Sequence, residues 1–278
     1  MSDSARITFI GGGNMAQSLI GGLLDAGFPP EELAVADPDP EQRRRLTRHA
    51  GLHIARTAAE LLPGARLIVL AVKPQIAPGV LAELGPRLGR TPPVLLSIVA
   101  GLRLDTIERH AGCRRLPVIR AMPNTPAMVR RGISAFYANP RVAADGKSLA
   151  RRILQAVGET IELENESDLD IVTAVSGSGP AYFFLLTEAI ETAATASGLA
   201  PAIALKLARE TGIGAMALLS HSKATPGELR AQVTSPGGTT AAAIEEFKRG
   251  DFTSLVQRAV TRATDRAREL GIAMENDE

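Results

Sequence analysis

The residues of this 278-residue chain whose types and spacing suit chemistry are small ones. Gly11, Gly12 and Gly13 interrupt an apolar run and are followed at once by Asn14 and Met15. Further on, Ser176-Gly-Ser-Gly-Pro180 and Ser235-Pro-Gly-Gly-Thr-Thr240 each set glycines among hydroxyl residues, ahead of a helical pattern. Read as loops that open helices, these segments expose backbone N–H groups at the positive end of a helix dipole, and the chemistry of such a place is anion binding. Helix capping accounts for one serine or threonine per helix. It does not account for two glycines beside two threonines. Acids and bases form no comparable group: His49, His53, His110 and His221 lack metal-ligand spacing, and no metal site is expected.

These residues need elements to hold them. Residues 6–24, RITFIGGGNMAQSLIGGLL, read as strand, glycine turn and helix in that order. That order is the context in which a glycine motif points to a dinucleotide. Gly11 permits the tight turn, Gly13 lets the backbone approach a pyrophosphate, and Ala16 still allows close packing of helix on strand. Residues 33–36 form a second strand ending at Asp37, about 20 residues past the loop, where a carboxylate accepts from ribose hydroxyls. The nearby Arg43, Arg44 and Arg45 suit a 2′-phosphate instead, so the residues leave both NAD and NADP open.

Helical patterns over 41–50 and 57–62 flank a short strand at 52–54. The apolar runs 67–72, 94–99 and 116–121 are of the kind buried on both faces of a parallel sheet. They end in Ala71-Val72-Lys73-Pro74, in Ala100-Gly101 and in Met122-Pro-Asn124, and open α/β sheets place ligands at such ends. Helices at 76–88 and 104–110 alternate with these strands, and 132–139, 143–157 and 160–163 add a strand, a helix and a strand. The pattern predicts a doubly wound α/β Rossmann-type sheet over 1–163. From 164 to 278 only helical spacing follows, at 182–197, 202–221, 227–233, 240–248 and 253–270. Alanine-rich stripes such as Leu255, Val256, Ala259, Val260 and Ala263 would bury little in a domain of this size alone, which predicts dimerisation through an all-α half.

Composition narrows the class of protein. Hydrophobic residues are 45% of the chain, while 31 basic residues against 30 acidic ones give a net charge of +1. No single-sign run argues for nucleic acid. The one cysteine, Cys113, excludes an internal disulfide. The N-terminus lacks a hydrophobic signal region and no apolar run approaches a membrane span, so a soluble cytoplasmic protein is expected.

The blocks GGGNMA at 11–16, AVKPQ at 71–75, MPNTPA at 122–127, VSGSGPAY at 175–182 and SPGGTT at 235–240 resemble those of the pyrroline-5-carboxylate reductases, in the same order and over nearly the whole chain. The resemblance implies reduction of 1-pyrroline-5-carboxylate to L-proline with NADPH or NADH, by a Rossmann domain and a helical dimerisation domain, often in a ring of dimers. By position it implies that Gly11, Gly13, Asn14 and Met15 hold the pyrophosphate. Ala71, Val72, Lys73, Pro74, Ala100, Gly101 and Asn124 then line the cofactor's path. Glu166, Ser176, Gly177, Ser178, Gln232, Gly237, Gly238, Thr239 and Thr240 are implied around the substrate. Gln232 replaces an Asn, Ala58 an Asn or Ser, and Lys223 a frequent acidic residue of relatives.

A site of Ser, Thr and Gly suits this chemistry, which asks little of acids and bases. Backbone donors at 238–240 would fix the carboxylate and the Thr240 hydroxyl would meet the ring nitrogen, making it the one residue assigned to catalysis. A β-hydroxyacid dehydrogenase would need a lysine or histidine near the substrate, and residues 175–182 hold neither. A nucleotide-sensing module would leave the loops of the second half unexplained.

Overall fold

The computed structural model describes residues 6–276. Its sheet has eight strands: β1 (Arg6–Ile10), β2 (Leu33–Ala36), β3 (His53–Ala55), β4 (Ala65–Leu70), β5 (Val94–Ser97), β6 (Val118–Met122), β7 (Gly132–Ala138) and β8 (Gly158–Glu162). They lie in the order β3-β2-β1-β4-β5-β6-β7-β8, and every pairing is parallel except β6 with β7. The order reverses between β1 and β4, which is the switch point where such sheets open a ligand crevice. Strand β2 is wholly buried Leu, Ala and Val, and Ile7, Phe9 and Ile10 of β1, Leu67, Ile68, Val69 and Leu70 of β4 and Leu95 and Leu96 of β5 are buried as well, as parallel strands covered on both faces must be.

Helices α1 (Asn14–Asp25), α2 (Pro40–Leu46), α3 (Ala77–Leu84), α4 (Leu104–His110) and α5 (Ala144–Gln155) cover the sheet. One core cluster packs Leu19, Ile20 and Leu23 of α1 with Leu149, Ile153 and Leu154 of α5 on one face. A second packs Leu81 and Leu84 of α3 with Ile107 of α4 on the opposite face. The doubly wound sheet expected from the pattern is therefore present. Several expected helices are shorter than their patterns, and 57–62 is reduced to the 3₁₀ turn Ala58–Glu60.

Helices continue the chain as α6 (Asp168–Val172), α7 (Gly179–Ala196), α8 (Pro201–His221), α9 (Pro226–Gln232), α10 (Thr239–Arg249) and α11 (Phe252–Asn276). Two compact units result: residues 1–178 with 263–278, and residues 179–262. The expected boundary at 163 thus differs from this division. Residues 164–178 join the first unit because Leu169, Asp170 and Ala174 are buried there and Glu166 pairs with Arg120 of β6. The end of α11 joins it too, with partly buried Met274 packed against the core cluster of α3 and α4 and Glu275 bonded to Arg103.

The segment 176–180 is a second correction. Expected as a loop that opens a helix, it forms instead a π turn, Thr173–Gly177, that carries α6 into α7 with a single bend at Ser178. Ser178 N–H donates to the Thr173 carbonyl at 2.8 Å and Ser176 Oγ to the Val172 carbonyl at 3.0 Å, so these groups are spent inside the helix. A consequence is that Asp168–Ala196 runs nearly unbroken over 29 residues and holds an 18-residue window of mean hydropathy 1.3, long and apolar enough by length and composition alone to cross a membrane. Serine, glycine and proline propensities alone make residues 176–180 a break in the helical pattern, which hides this continuity in the sequence.

The second unit has a different character. None of the hydrophobic core clusters among the described residues includes any of residues 179–262. Helices α7 and α8 pack together and bury Ala204 and Ala208. Phe183, Phe184, Leu185, Ile213 and Leu218 are nonetheless exposed in the single chain.

Candidate functional site

The crevice begins at the turn between β1 and α1. Gly11 has φ +97°, and a Cβ there would stand 2.5 Å from the Ala71 carbonyl oxygen, so glycine is required for the turn to lie against the end of β4. Gly12 is gripped from both sides. Its N–H donates to Asp37 Oδ2 at 2.7 Å, and its carbonyl accepts from Gln17 Nε2 at 2.7 Å. Gly13 differs: nothing lies within 4 Å of where its Cβ would be. It caps α1 in an extended conformation and no side chain bonds the helix end. The first bond of that end is Gln17 N–H to the Gly13 carbonyl, which leaves the N–H groups of Asn14, Met15 and Ala16 without helical acceptors. Open space beside three free donors at a positive dipole end is a cradle for phosphate, and the residues fit a dinucleotide's pyrophosphate.

The neighbouring strand ends fall on the same edge. Ala71, Val72, Lys73 and Pro74 follow β4, with Ala71 N–H bonded to Ile10 of β1 and Lys73 exposed. Ala100 and Gly101 lie just beyond β5 in the same parallel set, Ala100 exposed and Gly101 at φ +77°. Asn124, beyond β6, is 8% exposed. Its Nδ2 donates to the Ser176 carbonyl at 3.2 Å, and its Oδ1 accepts from Ile133 N–H at 2.9 Å. Asn124 therefore clamps the π turn to β7, and its amide is already engaged. Gly177 sits under Met122, whose Cε is 2.6 Å from where a Cβ would be, so a larger residue would displace that side chain.

In the second unit, residues 235–240 open α10 as expected. Gly238 N–H bonds the Ser235 carbonyl at 3.0 Å, and Gly237 takes φ +72° to close the turn. The N-cap is Gly238, with no side-chain cap, so capping by a threonine, the alternative to anion binding, is not seen here. Thr239 and Thr240 are its first two helical residues, and among the described residues the Thr240 hydroxyl has no partner. The preceding helix is finished differently. Thr225 and Glu228 bond each other's backbone in a full capping box, which holds the Glu228 carboxyl below its ordinary value. Gln232 is the exposed last residue of α9.

Comparison with known proteins decides the family. Residues 166–270 match the model for pyrroline-5-carboxylate reductase dimerisation, and residues 6–101 match that for NADP oxidoreductase, coenzyme F420-dependent. The pyrroline-5-carboxylate reductase of Pseudomonas aeruginosa is 43% identical over 265 residues, covering 95% of this chain and 96% of that protein. The chain belongs to the pyrroline-5-carboxylate reductase family. The solved structure of such a reductase from Coxiella burnetii superposes with a TM-score of 0.91 at 37% identity, covering 96% of this chain and 98% of that one. That of the Plasmodium falciparum enzyme with NADP bound gives 0.83 at 29% identity, covering 97% and 99%.

Within this family member, Glu166 is the expected substrate residue whose surroundings are most informative. Its Oε1 accepts from Leu104 N–H at 2.8 Å and from Arg120 Nη1 at 2.5 Å. Arg103, Arg120, Tyr137, Glu166 and Asp170 line a polar cavity of about 420 Å³ beside it. Arg120 is 6% exposed and was not among the expected residues. Its signal was available: an arginine inside the apolar run 116–121 demands a partner. Gln17, which grips Gly12 and also donates to Gln42 Oε1 at 3.0 Å, gave no such signal.

Proposed function

We infer that the protein reduces 1-pyrroline-5-carboxylate to L-proline, with NADPH or NADH as hydride donor. The chain's own residues divide the work. The N–H groups of Asn14, Met15 and Ala16 hold the pyrophosphate, with Gly11 and Gly13 making room for it. Asp37 takes the adenosine ribose hydroxyls, and Ala71, Val72, Lys73, Pro74, Ala100 and Gly101 line the path toward the reacting end. Asn124 keeps that path in place through its two bonds to Ser176 and Ile133.

The observation that carries the substrate assignment is the N-terminus of α10, where glycine caps the helix and no side chain satisfies it. Free N–H groups there suit the single carboxylate of the imine. The Thr240 hydroxyl, without a partner of its own, is assigned to the ring nitrogen. Glu166, Ser176, Gly177, Ser178 and Gln232 are assigned to the walls. The bound nicotinamide supplies a hydride to the carbon of the C=N bond. The electron pair of that bond passes to nitrogen, and a proton from solvent or already on the iminium completes the amine. Holding two reactants in register supplies several kcal/mol of such a barrier, on the order of 7–11 in the best cases, with no general acid needed.

The helical half is assigned to dimerisation, since residues 179–262 form no core cluster of their own while large apolar side chains are exposed on α7 and α8. A ring of dimers in the cytoplasm, without nucleic acid or membrane as partner, completes the reading. Steady-state oxidation of NADH and of NADPH in the presence of the imine tests it. Saturable, imine-dependent turnover is expected, and dinucleotide binding without such turnover would refute the reductase reading in favour of a sensing module.

A further inference from the structure

We propose that Asp37 makes this protein prefer NADH to NADPH, by presenting a fixed carboxylate where a 2′-phosphate would require cations. The proposal rests on the reductase reading and names which of the two dinucleotides that site selects. Asp37 follows directly on β2 and is 9% exposed. Its Oδ2 accepts from Gly12 N–H at 2.7 Å and its Oδ1 from Asp39 N–H at 2.9 Å. Two backbone donors therefore hold the carboxylate at the mouth of the glycine turn. Neither neutralises its charge, and no ion pair to Asp37 is found among the described residues.

The arginines that follow are already engaged. Arg43 Nη1 donates to the Asp37 and Pro38 carbonyls, each at 2.8 Å, and so braces the turn that carries Asp37. Arg44 and Arg45 both pair with Glu41 on the exposed side of α2. Ala58 packs against the small cluster of Ala34, Ala36 and Ala55 and offers no donor. A ribose diol brings two O–H donors to a carboxylate that still has lone pairs free, and such charge-assisted bonds are strong. A 2′-phosphate instead brings about two negative charges to the same place. The rival cation is Arg56, exposed just past β3, whose guanidinium has no hydrogen-bond or ion-pair partner among the described residues. Asp37 is prepaid in its position by the fold, whereas Arg56 would have to be ordered out of water, so the carboxylate sets the preference.

Binding of NADH and NADPH to the full-length protein is measured by quenching of nicotinamide fluorescence without imine, and kcat/KM for each with the imine. The expected result is NADH binding at least tenfold tighter than NADPH, with kcat/KM favouring it in the same direction. Asp37→Asn keeps an acceptor for Gly12 N–H while removing the charge, and should narrow the binding ratio at least fivefold through a gain for NADPH. Asp37→Ser serves the same purpose if the asparagine variant does not fold, and if neither folds the ratio in the native protein decides. Arg56→Ala should leave the ratio within twofold. Equal or tighter NADPH binding by the native protein, or an unchanged ratio in a folded Asp37 variant, overturns the proposal. An NADH preference in binding with no imine turnover would uphold it while refuting the reductase reading. Brisk turnover with NADPH favoured would do the reverse.

Discussion

Replacing Thr240 by alanine separates a reacting hydroxyl from a helix cap, and the geometry of α10 sets the size of each effect. A capping threonine would lose about 1 kcal/mol of stability on truncation. Here the cap is Gly238, Thr240 lies one residue inside the helix, and its hydroxyl has no partner among the described residues. Truncation therefore removes no native hydrogen bond, and alanine's better helix propensity offsets the loss of the methyl and hydroxyl, by up to about 0.6 kcal/mol. Stability should hold or rise slightly. A hydrogen bond from the hydroxyl to a nitrogen that gains electron density is worth about 1.5–3 kcal/mol, roughly ten- to a hundredfold in rate. The expected outcome for Thr240→Ala is a fall of that size in kcat/KM for the imine, with dinucleotide affinity and the thermal midpoint barely changed. Thr240→Ser should recover most of the activity. A folded alanine variant that keeps more than a third of native kcat/KM, or one that loses about 1 kcal/mol in denaturant while turning over normally, would sink the assignment.

Gly13→Val should fold normally, because its φ of −68° suits valine and nothing lies within 4 Å of the new Cβ, yet a dinucleotide titration should show affinity weakened at least tenfold. Glu166→Gln leaves the guanidinium of Arg120, 6% exposed, without a counter-charge; since the carboxylate itself is partly exposed, a loss of about 2 kcal/mol in urea unfolding is expected. Arg120→Met in the same background should restore part of that loss, and additive losses would contradict the pairing. Light scattering should give a mass of at least two chains, and a mass of 29.2 kDa would leave the exposed apolar side chains of α7 and α8 without explanation.

What could be read ahead of the structure was what local pattern governs. Leu33–Ala36 and Leu104–His110 appear with the boundaries that periodicity assigns, since turn residues bound the first and the second is a self-contained amphipathic stretch. The glycine turn was legible for the same reason: Gly11 and Gly13 act through their own missing side chains, one against Ala71 and one against open space. The failures share a cause. Ser176 and Gly177 read as helix breakers by propensity, yet the chain stays helical there because Asn124 holds the Ser176 carbonyl and Gly177 fits beneath Met122. Glycine and serine fit this place because of what lies across from them, and local propensity is blind to that.

The polar residues carry the point further. Asp37, Asn124 and Glu166 were all named for contacts with ligands, and each proves to be bonded within the protein as well: Asp37 to Gly12, Asn124 to Ile133 and Ser176, Glu166 to Leu104 and Arg120. A polar side chain this close to a crevice must first satisfy the backbone that shapes it, because an unpaired buried group costs about 1–3 kcal/mol. Asp37 has acceptor capacity left over after doing so, since a carboxylate has roughly four lone-pair sites. Asn124 uses one donor and one acceptor of its amide on Ser176 and Ile133, and so acts on the crevice by holding its wall in place. Type and position in the chain mark both residues alike as belonging to the site. What tells them apart is what they bond: Asp37 holds the glycine turn and its own turn residue Asp39, while Asn124 joins Ser176 to Ile133, and these partners stand up to 52 residues away in sequence.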